Sequence, residues 1–322
     1  MYSLFSFTVF LWSLSISLSS SLTERPVIGI LAQPNWEKTE YYVAASYVKW
    51  LESVGARSLP IPYNADDETV TDIFQQVNGI LFPGGAVDSL PPSARKVWAL
   101  AKEANENGDK FPLWGTCLGF EYFVMLAGSK GENTLQSGFD ARNISLLLLY
   151  SDSAQDSVMF ADDAIRNIAG SHNVTSNFHR MGIEPGHFMG DAGLSSTFKI
   201  VSTSLDRKGR PFVSAIEAIN TDVYPFYGVQ FHPEKNNFEY GTFPGTDIPY
   251  EAINHSSDAI EVSTHLARLF VSLARQNMHV YSDVDTYPLI WEYDLKHGSS
   301  FEQRLIIPDV TTPNFETTIR HQ

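Results

Sequence analysis

The chain has 322 residues, a length that suits one elaborated α/β domain once a leader is set aside. Its 43% hydrophobic and 13% aromatic content is enough to fill a sizeable core. Acidic side chains outnumber basic ones 37 to 22, for a net charge of −15, and no run of Lys or Arg stands out, which argues against nucleic acid as a partner.

Residues 1–21 hold no charged side chain. The apolar run Leu4–Leu18 and the small residues Ser19–Ser21 read as a signal peptide, and the run is short and serine-interrupted for a membrane anchor. No later segment is long and apolar enough to span a bilayer. After leader removal the chain is therefore expected to have no membrane span. Sequons at Asn143, Asn173 and Asn254 fit passage through the secretory pathway, with the extracellular space, a lysosome or a vacuole as destination. Cys117 is the sole cysteine, so the chain relies on its core rather than on an internal disulfide.

Val27–Leu31 is a continuous apolar run of the buried-strand type. Tyr41–Ser53 has helical spacing with Tyr47, Val48 and Leu51 on one face, and Gly55 closes it. Ala56–Pro62 reads as a strand, Asp66–Gln75 as a helix with an acidic first turn, and Val77–Phe82 as a strand ending in Pro83-Gly84-Gly85. A helix over Ser93–Asn107 stops at Gly108, and a strand from Phe111 leads into the Cys117 turn and its helix. The second half is richer in strands: Ile144–Tyr150, Phe198–Ser204, Pro211–Ile219 and Phe226–Phe231, with loops over 182–193 and 236–250. Ser257–Gln276 is a long amphipathic helix, and 287–307 is placed as a peripheral strand pair before a polar tail. Alternating strands and helices predict a parallel sheet with helices on both faces, whose ligands sit at the carboxyl ends of the strands.

Chemistry concentrates at the turn Gly115-Thr-Cys-Leu-Gly119. A cysteine on a tight strand-to-helix turn is held at the end of the sheet beside free N–H groups, which favour a thiolate. The flanking glycines leave room for substrate and tolerate strained backbone. Cys117 reads as a nucleophile. His232-Pro233-Glu234 follows the apolar run Phe226–Phe231. At a strand end, residues two apart point the same way, so Glu234 is placed to orient His232 as the base. Attack on an amide carbonyl needs two fixed oxyanion donors. The N–H of Leu118 is the first, and the turn holding Gly84 and Gly85 supplies the second.

These stretches together resemble one family. Gly115-Thr-Cys-Leu-Gly-Phe-Glu121, Phe82-Pro-Gly-Gly85 and Tyr227-Gly-Val-Gln-Phe-His-Pro-Glu-Lys235 look like gamma-glutamyl hydrolase, also called folylpolyglutamate hydrolase, of the class I glutamine amidotransferase-like fold. The segments 26–34, 43–56 and 289–293 resemble it too, so the likeness covers roughly residues 25–307. It implies an α/β three-layer sandwich with a mostly parallel central sheet, helices on both faces and added β-rich loops. The implied domain spans 22–309, between the leader 1–21 and a polar tail 310–322. It implies Cys117 as nucleophile, His232 as catalytic histidine and Glu234 behind it. Asn177-Phe-His179 resembles the segment bearing a second histidine that contacts substrate; from the residues alone, His179 reads as a loop histidine. Glu121, one helical turn beyond Cys117, orders the site or binds the substrate's α-amino group, with a structural role as the alternative. Departures are Phe231 in place of the usual tryptophan, a leader without its basic residue, and an unmatched tail beyond Pro308.

The implied reaction is hydrolysis of γ-glutamyl bonds, foremost in folate polyglutamates, through a thioester and with no metal or organic cofactor. No ATP-grasp or P-loop pattern is visible, which leaves water as the acceptor. Homodimerisation is implied by the family alone. Because the substrate is polyanionic and the chain acidic, a locally basic mouth is expected, with Arg142, Arg180 and Lys235 as its candidates. Rival readings of the same residues are a glutaminase acting on free glutamine, a catalytically silent secreted binding protein of the same fold, and a storage or surface glycoprotein with incidental activity.

Overall fold

The computed structural model describes residues 22–86, 89–298 and 301–309. The expected leader and polar tail lie outside the described residues. In chain order, β1 (Val27–Leu31), β2 (Gln33–Pro34) and β3 (Tyr41–Ala44) run into α1 (Ala45–Glu52). Then come β4 (Arg57–Ile61), α2 (Asp67–Phe74), β5 (Ile80–Phe82), α3 (Pro92–Glu106), β6 (Leu113–Thr116) and α4 (Leu118–Ala127). The second half brings β7 (Gln136–Leu146), β8 (Leu149–Tyr150), α5 (Asp163–Ser171), β9 (Thr175–Gly182), α6 (Pro185–Gly190) and α7 (Ala192–Thr197). It continues through β10 (Phe198–Leu205), β11 (Pro211–Ala218), β12 (Phe226–Val229), α8 (Pro233–Phe238) and α9 (Ser257–Ala274), and ends with β13 (Leu295–His297) and β14 (Gln303–Ile307).

An eight-stranded sheet runs in the order β4-β1-β5-β6-β12-β11-β10-β8. Neighbours from β4 to β12 are parallel, and those from β12 to β8 antiparallel. Strand β1 shows why the sheet is central. Its residues are buried without exception; Ile28 and Ile30 join one apolar cluster, while Val27 and Leu31 join the other, as a period of two requires. Helices α1, α5 and α9 cover the first cluster; α2, α3 and α4 cover the second. The result is the expected three-layer α/β sandwich.

Local signals set the helix starts. The Asp66 carboxylate accepts from the Thr69 N–H at 2.8 Å at the head of α2, and Ser256 Oγ accepts from Ala259 N–H at 3.3 Å at the head of α9, each satisfying a free helix donor. No helix among the described residues is long and apolar enough to cross a membrane.

Five expectations are corrected. The stretch read as a helix from Tyr41 begins as β3, because Tyr41–Ala44 pairs with β14 at the far end of the chain, and a long-range partner overrides local spacing. The strand placed at Ile144–Tyr150 divides: β7 starts earlier, at Gln136, and forms a ribbon with β9, while β8 edges the main sheet. The loop over 182–193 contains α6, and the loop from Asn236 begins within α8. His179 lies in β9, not in a loop. The peripheral strand pair is β13 and β14, preceded by a short 3-10 turn at Ile290–Glu292.

Candidate active site

Strands β5, β6 and β12 are adjacent and parallel, with Phe82 beside Gly115 and Val229 beside Thr116. Their carboxyl ends therefore bring together the Pro83–Gly85 turn, Cys117 and the segment Gln230–Glu234, which are far apart in sequence. Parallel sheets present ligand sites at this edge.

Cys117 has φ 53° and ψ −105°, a costly conformation for a residue with a side chain. Its N–H donates to the Val229 carbonyl at 2.8 Å and its carbonyl accepts from the Glu121 N–H at 2.9 Å, so the turn is fixed from both sides. The expectation that the flanking glycines absorb the strain is corrected: neither has a positive φ. They permit close approach instead. A Cβ on Gly115 would meet the Gly119 carbonyl oxygen at 2.6 Å, and one on Gly119 would collide with the Phe82 carbonyl.

Burial pushes the Cys117 thiol well above its ordinary value, and the Glu121 and Glu234 carboxylates add to this, against Lys235 and the Leu118 N–H. The helix N-terminus is outweighed, contrary to expectation. The resting sulfur is a thiol that needs a base.

The buried His232 sits as N-cap of α8, with Nδ1 2.8 Å from Glu234 Oε1. The strand-end geometry expected for this pair is corrected: β12 stops at Val229, Pro233 opens α8, and Glu234 reaches the ring from the first helical turn. The outcome for the imidazole is the same, since Nδ1–H donates to the carboxylate and Nε2 is left as the basic nitrogen. The His232 N–H donates to the Ser176 carbonyl at 2.8 Å, and its ring meets Phe178 edge-on at 5.5 Å.

His179, on β9, is buried, and its Nδ1 lies 2.7 Å from the Met181 carbonyl. Burial lowers its pKa to about 4, so it is a neutral imidazole at ordinary pH, and its Nε2 has no hydrogen-bond partner among the described residues. Glu121 is buried, and its Oε1 accepts from Gln230 Nε2 at 3.1 Å.

Two buried polar residues of this cluster escape the sequence reading: Gln230, whose Oε1 has no partner among the described residues, and Tyr47. Gln230 had a signal, its place two residues before His232. Tyr47 had none, because its helical spacing marks it only as core. Its hydroxyl accepts from the Gly84 N–H at 2.7 Å, so this glycine's donor is occupied at rest, whereas the neighbouring Gly85 is exposed.

Of the basic candidates, Lys235 is buried, paired with Glu251, and set over the Phe178 ring at 4.3 Å. Arg142 and Arg180 are exposed. Arg142 pairs across the ribbon with Phe178, and Arg180 is two residues beyond Phe178, so all three share a ribbon face. The sequon residues Asn143 and Asn173 are exposed and Asn254 is half-buried. Among the described residues, no group of at least three His, Cys, Asp or Glu is arranged to hold a metal ion.

The family model described as Peptidase C26 matches residues 26–234. "Gamma-glutamyl hydrolase B" of Dictyostelium discoideum is 36% identical over 309 residues, covering 91% of this chain and 86% of that one. "Gamma-glutamyl hydrolase" of Mus musculus is 36% identical over 87% of this chain and 89% of its own. The Homo sapiens protein of the same name is 35% identical over 80% of each chain. Among solved structures, the glutaminase domain of Trypanosoma brucei CTPS aligns with 80% of this chain and 96% of its own at 17% identity, with a TM-score of 0.49. On this coverage and identity, the chain belongs to the peptidase C26 family.

Proposed function

We propose that the chain hydrolyses γ-glutamyl peptide bonds, foremost in folate poly-γ-glutamates, with Cys117 as nucleophile. The observation that supports this most is the meeting of three strand ends, which sets a strained buried cysteine, a carboxylate-bound histidine and a turn with an exposed Gly85 at one edge of the sheet.

The chemistry follows from the protonation states. His232 Nε2 takes the thiol proton as sulfur attacks the γ-carbonyl, which avoids a standing thiolate in a buried acidic setting. Charge develops on the carbonyl oxygen, where the Leu118 N–H and the Gly85 N–H serve as donors. Collapse breaks the C–N bond, and His232 returns the proton to the departing amine. Water then adds to the thioester with His232 as base, releasing the acid and restoring the thiol. Glu234 holds the imidazole tautomer throughout. His179, neutral and with a free Nε2, contacts the substrate beside the sulfur, and Glu121 with Gln230 lines the pocket for the γ-glutamyl residue. Arg142 and Arg180 attract the polyanionic chain. Passage through the secretory pathway, glycosylation at the sequons and a homodimeric state belong to the same proposal.

The test is hydrolysis of a pteroyl-γ-glutamate oligomer by the protein lacking residues 1–21, beside Cys117→Ala, with glutamine as competitor. Chain shortening lost in the variant supports the reading. Activity on glutamine alone moves the chain to the glutaminase branch, and cleavage of neither from acid to neutral pH leaves a silent binder.

A further inference from the structure

The Tyr47 side chain belongs to the core by its ring and to the active site by its hydroxyl. The residue is almost fully buried on α1, on the same face as Val48 and Leu51. Its Oη lies 3.3 Å from His232 Nδ1 and accepts from the Gly84 N–H at 2.7 Å. The direction of each bond can be assigned by counting protons. The Gly84 N–H takes an acceptor position on the oxygen, and the Nδ1 proton of His232 is committed to Glu234 Oε1 at 2.8 Å. The tyrosine oxygen, not its proton, therefore faces Nδ1. Burial, with the Glu234 charge behind it, pushes the phenol well above its ordinary value, so that proton is always present. The packing is equally close: a Cβ on Gly84 would lie 2.5 Å from His232 Cε1 and 2.9 Å from the Tyr47 hydroxyl.

We propose that Tyr47 is a positioning residue that locks the His232–Glu234 pair and the Pro83–Gly85 turn into one unit. It acts through the imidazole and the turn and does not touch the reacting atoms. This rests on the catalytic reading of the cluster given above. The titratable and charged groups around His232 are Tyr47 from α1, Glu234 and Lys235 from α8, His179 from β9, and Cys117 and Glu121 at the start of α4. Tyr47→Phe removes one oxygen and leaves the other groups in place.

In Tyr47→Phe, kcat for a γ-glutamyl oligomer falls about 10- to 100-fold, with KM within about twofold. The acid limb of kcat/KM moves to lower pH, because the imidazolium loses the hydroxyl oxygen that lies 3.3 Å from Nδ1. Val48→Ala in the same helix is the structural control: it lowers the melting temperature and leaves the limb in place. A second readout needs no substrate. Cys117 is the sole cysteine, so the rate of alkylation by iodoacetamide against pH reports this one sulfur, and its midpoint shifts in Tyr47→Phe. A variant with the parent's kcat, acid limb and alkylation profile overturns the proposal. If the parent cleaves no γ-glutamyl bond, the functional reading fails, and the alkylation profile alone decides Tyr47: a shift upholds the coupling, and no shift overturns it.

Discussion

One carboxylate oxygen of Glu234 lies 2.8 Å from His232 Nδ1, and both residues are buried. The carboxylate is not the only group at that nitrogen, since the Tyr47 hydroxyl lies 3.3 Å away. Removing the Glu234 charge should therefore loosen the imidazole without releasing it. Glu234→Gln is expected to lower kcat about 10-fold with little change in KM, against about 10⁴-fold for His232→Ala. Steady-state kinetics on one γ-glutamyl substrate measures both; equal losses in the two variants would show that the carboxylate alone holds the ring.

The strain at Cys117 gives a prediction about stability. Its φ of 53° is one that glycine adopts freely. Cys117→Gly and Cys117→Ala both lose the thiol and all activity, yet the glycine variant should be the more stable by about 1 kcal/mol. Chemical denaturation of the two variants compares them directly, and an alanine variant as stable as the glycine one would mean that the turn is unstrained.

Gly119 is needed for a different reason, since a side chain there would run into the Phe82 carbonyl of β5. Backbone cannot step aside as a flexible side chain can. Gly119→Ala should cost about 3 kcal/mol or more, or prevent folding. Gly186→Ala is the contrasting case, with nothing within 4 Å of the new Cβ, and should leave the melting temperature nearly unchanged.

Acid should act on two buried groups with opposite signs. Burial lowers the His179 pKa to about 4, so between that value and its ordinary 6.5 the unfolded chain binds the proton that the folded chain refuses. Stability is lost as pH falls through this window, by up to about 3 kcal/mol. Burial raises the Glu239 carboxyl to about 6, so the folded chain retains a proton that the unfolded one gives up, and stability falls as pH rises from about 4.5 to 6. Glu239→Gln should therefore gain up to about 2 kcal/mol at pH 7 and nothing near pH 4. His179→Gln should flatten the acid side of the stability profile. Denaturation midpoints across pH, with each variant set beside the parent, test both signs.

Arg142 and Arg180 share the ribbon face of Phe178, whose ring meets His232. If the polyanionic chain approaches along that face, Arg142→Glu and Arg180→Glu should each raise KM for a γ-glutamyl oligomer about 3- to 10-fold and leave kcat intact. Added salt should shrink the difference between parent and variants. A KM unmoved by either reversal would place the approach elsewhere.

What was legible in the sequence was local. The Cys117 turn and His232-Pro233-Glu234 each lie within a few residues, so their chemistry shows in the residue types and spacing. β1 was legible because both its faces are buried, which leaves an unbroken apolar run. Less legible was whatever depends on a distant partner. Tyr41–Ala44 has helical spacing but is held as a strand by β14, and Tyr47 meets a histidine 185 positions away. His179 looked like a loop residue because the pairing of β7 with β9 is interrupted by register shifts and spreads over mixed polar residues. The Cys117 thiol is raised first by burial, then by the Glu121 and Glu234 carboxylates, and of these only Glu121 lies close enough in sequence for a local reading.

The most direct test of the account is to look for the covalent intermediate. The protein is mixed with a pteroyl-γ-glutamate oligomer, quenched in acid within one turnover, digested and mapped by mass. The account predicts a γ-glutamyl adduct on the peptide holding Cys117, formed at the rate of the first amine release and absent in Cys117→Ala, which cleaves nothing. Hydrolysis that proceeds without an adduct, or that survives Cys117→Ala, would contradict it.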